Sequence, residues 1–418
     1  MKNNLLQLKN YALFFLKWLL LGILMGGIGG LLGAAFHYAL HFVTGLRLVN
    51  TWLVWLLPIG GLAGVSLYRL LGLQSNRGTN EMIEAVLDDH PVTPKIAPGI
   101  FLASALTHLF GGSAGREGAA LQLGGSVASG LGRLLKLDKQ SHSALIICGM
   151  SAVFAGLFGT PLTACLFTLE FTAVGSLFTP VLLPGFLAAY TASRVSAALG
   201  VHAEVFPLEN TMALTLGNSW KLLVLAVAVS VLGILLCWFW HKAEHFAHKW
   251  VKNDFLRIAA GGLAIALLTL AVGNQRFNGA GMDMALEAVG GKADWYSFLL
   301  KLLFTAVTLA AGFKGGEIVP TFCIGATFGC VAGGLLGLDP GICAALCLVG
   351  LFCCVTNSPL ASVVLSIEMF GANNLGIFAL ICVICFALSG KGGLYSSQLL
   401  RFPKAKMEAP LTFSRDDL

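Results

Sequence analysis

The chain has 418 residues, 57% of them hydrophobic and only 11% charged, with a formal net charge of +6 and a mean hydropathy of +0.83. Soluble domains carry about 25% charged residues, so an ordinary soluble protein is excluded. No basic patch interleaved with aromatics accompanies the positive charge, which excludes a nucleic-acid partner and reads instead as topology and contact with the lipid bilayer.

The basic head Lys2, Lys9 and Lys17 predicts a cytoplasmic N-terminus. The apolar run Leu19 to Phe36 that follows is too long for a signal peptide and has no small-residue cleavage site. Leu222 to Trp240 and Ile258 to Val272 are further runs of this kind. A bilayer core needs roughly 20 helical residues, and backbone groups in lipid must pair internally. The runs do not alternate and are rich in Leu, Ala and Gly, so they predict helices: an all-α, multi-pass protein of the cell membrane.

Further along, three segments of the first half recur in the second. Gly78 to Val86 resembles Gly281 to Val289, an offset of 203 residues (78 to 281). Gly115-Arg116-Glu117 resembles Gly315-Gly316-Glu317, an offset of 200 (117 to 317). Pro161-Leu162 with Glu170 resembles Pro359-Leu360 with Glu368, an offset of 198 (161 to 359). The matches keep one order and a slowly drifting offset. They divide a single membrane domain into related halves, 1–205 and 206–418, with the polar stretch His202 to Asn210 as linker. Glu170 and Glu368, at corresponding helix ends, are read as caps or interhelical hydrogen bonds, with transport chemistry as the lesser alternative; Glu84 and Glu287 are read likewise.

Each half also has a glycine-rich break followed by a helix: Gly111 to Ala119, and Gly312 to Pro320. Glycine lets the backbone turn and approach a ligand. The helix that follows offers unpaired N–H groups and the positive end of its dipole, and Pro320 suits a first turn. Repeat transporters place anion sites on such half-helices at the midplane. Glu117 and Glu317 stand where an anion would bind, and an ionisable residue inside a membrane predicts function. Ionised, Glu117 can occupy the site; protonated, it can swing away and admit the ion. A capping carboxylate is the structural alternative.

Two other motifs carry less. His241-Lys242-Ala243-Glu244-His245 has the spacing of an inverted zinc protease, which makes a membrane metallohydrolase the rival from another class. It directly follows the aromatic belt Trp238-Phe239-Trp240, where His, Lys and Glu are ordinary. The chain holds 11 cysteines. They lie in apolar segments, Cys382 and Cys385 among them, and read as small residues at helix contacts. No metal, cofactor or enzymatic activity is expected, and the short polar tail after Tyr395 leaves no room for a soluble regulatory domain.

Gly115-Arg116-Glu117-Gly118 resembles the GREGP signature of the CLC chloride channels and anion/proton antiporters. Gly78-Thr79-Asn80 falls where that family has GSGIP, Gly316 to Pro320 falls on GxFxP, and Ser389-Gly390 through Tyr395 matches its late tyrosine segment. The resemblance covers nearly the whole chain. It implies the CLC fold of two inverted halves built from broken, tilted helices, and a homodimer with one pathway per subunit. It further implies chloride or fluoride transport, coupled to protons through Glu117 as gate, or else an uncoupled chloride channel. By the same resemblance the anion site comprises Thr79, Gly115, Arg116, Gly118, Ile318, Val319 and Tyr395. Ala119 replaces the family's proline, and Phe171 stands where chloride/proton antiporters carry an internal glutamate. The run Lys314-Gly315-Gly316-Glu317 resembles the fluoride-exporting branch, which makes Glu317 the second proton carrier. That branch has threonine at Val319 and methionine at Thr79, so Thr79 points to chloride.

Overall fold

The computed structural model describes residues 2–400 except Pro207, Glu209 and Lys391, with backbone alone for residues 2–8 and Asn10. The side chain of Lys2 and the tail beyond residue 400 therefore lie outside it. Sixteen α-helices run through the described residues, in the order α1 Lys2–Val49, α2 Leu57–Leu70, α3 Thr79–Leu87, α4 Ile96–Leu109, α5 Glu117–Leu134, α6 Lys139–Phe158, α7 Pro161–Glu170 and α8 Leu182–Ala198. The second half continues with α9 Leu216–Trp250, α10 Asp254–Val272, α11 Met282–Val289, α12 Ser297–Ala311, α13 Ile318–Leu335, α14 Pro340–Thr356, α15 Pro359–Phe370 and α16 Leu375–Leu388. The three apolar runs read from the sequence lie inside α1, α9 and α10. Six helices are long and apolar enough to cross a membrane, and six more apolar helices are shorter.

Burial follows the repeat. Helix α14 from Gly341 to Thr356 and the last fifteen residues of α6, Ala144 to Phe158, are buried throughout. Small residues let these central helices touch their neighbours at the backbone. A methyl group added at Gly149 of α6 would stand 2.4 Å from the Gly124 carbonyl oxygen of α5, which is how helices pack where lipid gives no hydrophobic drive. All eleven cysteines are buried and none is in a disulfide. Cys353 Sγ donates to the Cys382 carbonyl at 3.4 Å, joining α14 to α16.

Glu170 and Glu368 exchange caps between the halves. Glu170, at the end of α7, accepts from the N–H groups of Leu360 and Ala361 at 3.1 and 2.7 Å. Glu368, on α15, accepts from those of Leu162 and Thr163 at 2.9 and 2.8 Å. Each carboxylate satisfies the bare N-terminus of the other's helix. Removing one leaves helix N–H groups unpaired, at about 1–3 kcal/mol. Glu170→Ala and Glu368→Ala are expected to lower the melting temperature of the detergent-purified protein. Glu170→Ala is expected to lower it more, because the Ala361 bond is buried and the Leu162 bond is exposed. Unchanged melting in both variants would reduce the exchange to a coincidence of geometry.

The linker is no free connector. Glu204 N–H donates to the Phe158 carbonyl at 3.1 Å, and Phe206 and Leu208 N–H donate to those of Met369 and Phe370 at 2.6 and 3.3 Å. The segment is stitched to the end of α6 in one half and of α15 in the other, because an extended backbone against membrane helices must find acceptors.

Lys17 Nζ of α1 donates to Ser141 Oγ at 3.1 Å at the start of α6. That end of the molecule also bears Arg133, Lys136 and Lys139, and the positive-inside rule predicts that it faces the cytoplasm. His37 lies twenty residues further along α1, or about 30 Å at about 1.5 Å per residue, toward the opposite end.

Candidate functional site

The two glycine-rich breaks meet. Gly115 and Gly316 pair as an antiparallel bridge; Gly115 N–H donates to the Gly316 carbonyl at 2.7 Å and Gly316 N–H to that of Gly115 at 2.8 Å. This brings the N-termini of α5 and α13 side by side. The first break is also pinned to α12: Ser113 N–H donates to Thr308 Oγ1 at 3.0 Å, and Lys301 Nζ donates to Ser113 Oγ at 3.0 Å and to the Gly279 carbonyl at 2.6 Å. Lys301 is wholly buried. A lone lysine in the apolar run of α12 is the signal that could have singled it out.

The bridge corrects the repeat alignment at this point. A symmetric bridge pairs equivalent residues, so Gly115 corresponds to Gly316, an offset of 201 (115 to 316), one more than the sequence comparison gives. Arg116 and Glu317 are the matching residues just before the two helices. Glu117 corresponds to Ile318, and Gly118 to Val319. The shared glutamate misled the comparison by one register.

Glu117 occupies the junction. It is fully buried. Its Oε2 accepts from the Val319 N–H of α13 at 3.2 Å and from the Arg116 N–H at 3.1 Å, while Oε1 has no partner among the described residues. One carboxylate thus draws on donors from both helix starts. The Arg116 guanidinium leaves the site to pair with Glu204, so of that residue only the backbone N–H belongs there. Ile318 is buried beside it as the first residue of α13.

Glu317 differs. It makes no side-chain cap to its helix, and its Oε2 is buried without a partner among the described residues. A methyl group on Gly118 would lie 3.1 Å from Thr79 Oγ1 and 3.2 Å from Glu317 Oε2, so both groups converge on Gly118, where only glycine leaves room. Thr79 opens α3, a third helix start aimed at the same place. Tyr395 is buried, its hydroxyl without a partner among the described residues and its ring 5.5 Å from that of Phe171. Ser397 holds this segment to α3, its N–H on Asn80 Oδ1 at 3.1 Å and its hydroxyl on Glu84 Oε1 at 2.6 Å.

A cavity of ≈540 Å³ reaches these groups, with Thr79, Glu317 and Tyr395 in its lining; Glu117 does not line it. Lys314 stands in its wall, 4.5 Å above the Tyr68 ring. From α9 it is lined by Trp240, His241, Glu244 and His248, and His245 is not in its lining. The two histidines of the protease-like motif therefore do not converge on the cavity. No group of three metal-ligating side chains occurs among the described residues.

Conservative removal of the Thr79 hydroxyl tests its part in the site. A hydrogen bond to an ion is worth more than one between neutral groups. Thr79→Val, which keeps the volume, is expected to change the ratio of chloride to fluoride transport by roughly tenfold. Competition fluxes in vesicles measure it, and an unchanged ratio removes Thr79 from the site.

A family model described as a voltage gated chloride channel matches residues 60–390. A chloride/fluoride channel protein of Pseudomonas syringae pv. tomato is 32% identical over 405 residues, 95% of this chain and 89% of that protein. An H(+)/Cl(-) exchange transporter of Vibrio vulnificus is 26% identical over 92% of this chain and 89% of its own. Among solved structures, a CLC-type fluoride/proton antiporter superposes with a TM-score of 0.89 at 33% identity, covering 92% of this chain and 98% of that one. A slow cyanobacterial Cl-/H+ antiporter, at 19% identity and a TM-score of 0.76 over 89% of this chain and 94% of its own, shares the fold.

Proposed function

Because the chain belongs to the CLC family of voltage-gated chloride channels, we propose that it is a fluoride/proton antiporter that also admits chloride, gated by Glu117. The observation that carries this reading is the Glu117 carboxylate bound to the Val319 N–H of the opposite helix. A carboxylate there is an internal stand-in for the transported anion. Ionised, it holds the site; protonated, it loses its attraction for the helix N-termini and yields its place. Each exchange then links one group's protonation to anion passage.

Within this reading the anion comes from the large cavity, meets the Thr79 and Tyr395 hydroxyls and the amide groups of Gly118, Ile318 and Val319, and displaces Glu117. Glu317 passes protons between cavity and gate. Its unbonded oxygen beside Gly118 supports that role, and so does Phe171, which supplies no carboxylate. The relatives at 32 and 33% identity whose descriptions include fluoride support the choice of ion. Fluoride is tightly hydrated, and hydroxyl and amide donors can replace its water. We further propose a homodimer in the lipid bilayer, tested by cross-linking in native membranes.

Purified protein in liposomes decides the function. Under an outward fluoride gradient, fluoride efflux should drive proton uptake in a fixed ratio. Anion flux without proton movement would favour the uncoupled channel instead.

A further inference from the structure

From the contacts of the linker strap we infer that Glu204 is a positioning residue for the gate: it holds the Arg116 guanidinium away from Glu117. The inference rests on Glu117 being the gate.

Arg116 immediately precedes Glu117, and its N–H already grips the Glu117 carboxylate at 3.1 Å. Its side chain is 15% exposed and Glu204's is 18%. The guanidinium pairs with Glu204 Oε1, lies 3.3 Å from His37 Nδ1 through NH1, and sits 5.1 Å from the Phe158 ring centroid. His41 stacks behind His37 with ring centroids 6.3 Å apart. Glu204 is thus the acidic partner that the strap supplies, and the strap is anchored to both halves through Phe158, Met369 and Phe370.

The far side of Glu204 is built as well. Its Oε2, together with the hydroxyls of Thr160 and Thr163, is buried without a partner among the described residues. All three residues line a cavity of ≈10 Å³.

The need for this arrangement is electrostatic. A largely buried guanidinium must be paired, and the other carboxylate within reach of Arg116 is Glu117 on the adjoining residue. An Arg116–Glu117 pair would hold the gate ionised and seated on the helix starts. It would oppose the protonation on which release depends. Glu204 supplies the competing partner and leaves Glu117 free to titrate and move.

The test uses full-length protein in liposomes, with fluoride efflux and proton uptake recorded together for wild type, Glu204→Gln and the double variant Arg116→Gln/Glu204→Gln. Glu204→Gln is expected to slow both fluxes about tenfold, the scale of a lost charge-assisted bond, and the double variant, which has no guanidinium to misplace, is expected to recover most of the rate. Wild-type rates in Glu204→Gln would overturn the inference. So would a double variant as slow as the single, the pattern of a merely structural pair. If Glu204→Gln cannot be purified folded, the double variant decides alone: a rate near wild type supports the inference, and a tenfold loss overturns it. Glu117→Gln in the same vesicles keeps the two readings apart: retained proton flux there refutes the gate and with it the premise of the inference, whereas wild-type rates in Glu204→Gln refute the positioning role alone.

Discussion

Glu117→Gln is expected to abolish proton movement while anions still pass or remain trapped in the site. Glutamine has the shape of a protonated glutamate, so it cannot carry the charge that seats the side chain on the Val319 and Arg116 amides. The helix starts are then left with their positive ends unopposed, which favours an anion in place of the side chain. An amide also cannot take up and release a proton at neutral pH, so one half of the exchange is lost. With fluoride inside the vesicles and a pH electrode outside, proton uptake should fall to the leak of protein-free liposomes. Proton movement at the wild-type rate would end the gating mechanism while leaving the family membership untouched.

Glu317→Gln should uncouple by a different route. If Glu317 were a cap, its carboxylate would accept from a helix N–H, as Glu170 and Glu368 do; it makes no such bond. Its Oε2 is buried beside Thr79 and Gly118 without a partner among the described residues, and Glu317 lines the large cavity. The substitution should therefore cut proton flux at least about tenfold, in the range attributed to positioned proton donors and acceptors, and leave the melting temperature unchanged or raised. Intact proton flux and selectivity, or a loss of stability alone, would return Glu317 to the role of a cap.

Much of this architecture is legible in the sequence because lipid allows few exceptions. Glycine breaks followed by carboxylates in an apolar chain stand out, and they locate Glu117, Glu317 and the helix starts. The reciprocal Glu170 and Glu368 are legible through their equal spacing from Pro161 and Pro359. Contacts made across the fold leave no such mark. The bridge between Gly115 and Gly316 depends on backbone pairing, and without it the shared glutamate sets the alignment one residue off. Glu204 sits in a polar stretch that reads as a linker, and nothing local shows that its backbone is bonded to Phe158 or its side chain to Arg116. The α9 motif gives the spacing of His241, Glu244 and His245 but not which of them faces the cavity.

The exchanged caps of α7 and α15 bear on how such a chain can have arisen. Each half lends a carboxylate and receives one, and both loans use the same positions of the repeat. An ancestral half inserted into the membrane in both orientations could complete the same exchange with a second copy of itself. No new contact would have to be invented at duplication. Fusion would fix the pair in one chain, and from then on the copies could drift apart, one keeping arginine and the other glutamate just before the helix. The specialised gate would then be the product of broken symmetry, and the caps a remnant of the symmetry that preceded it.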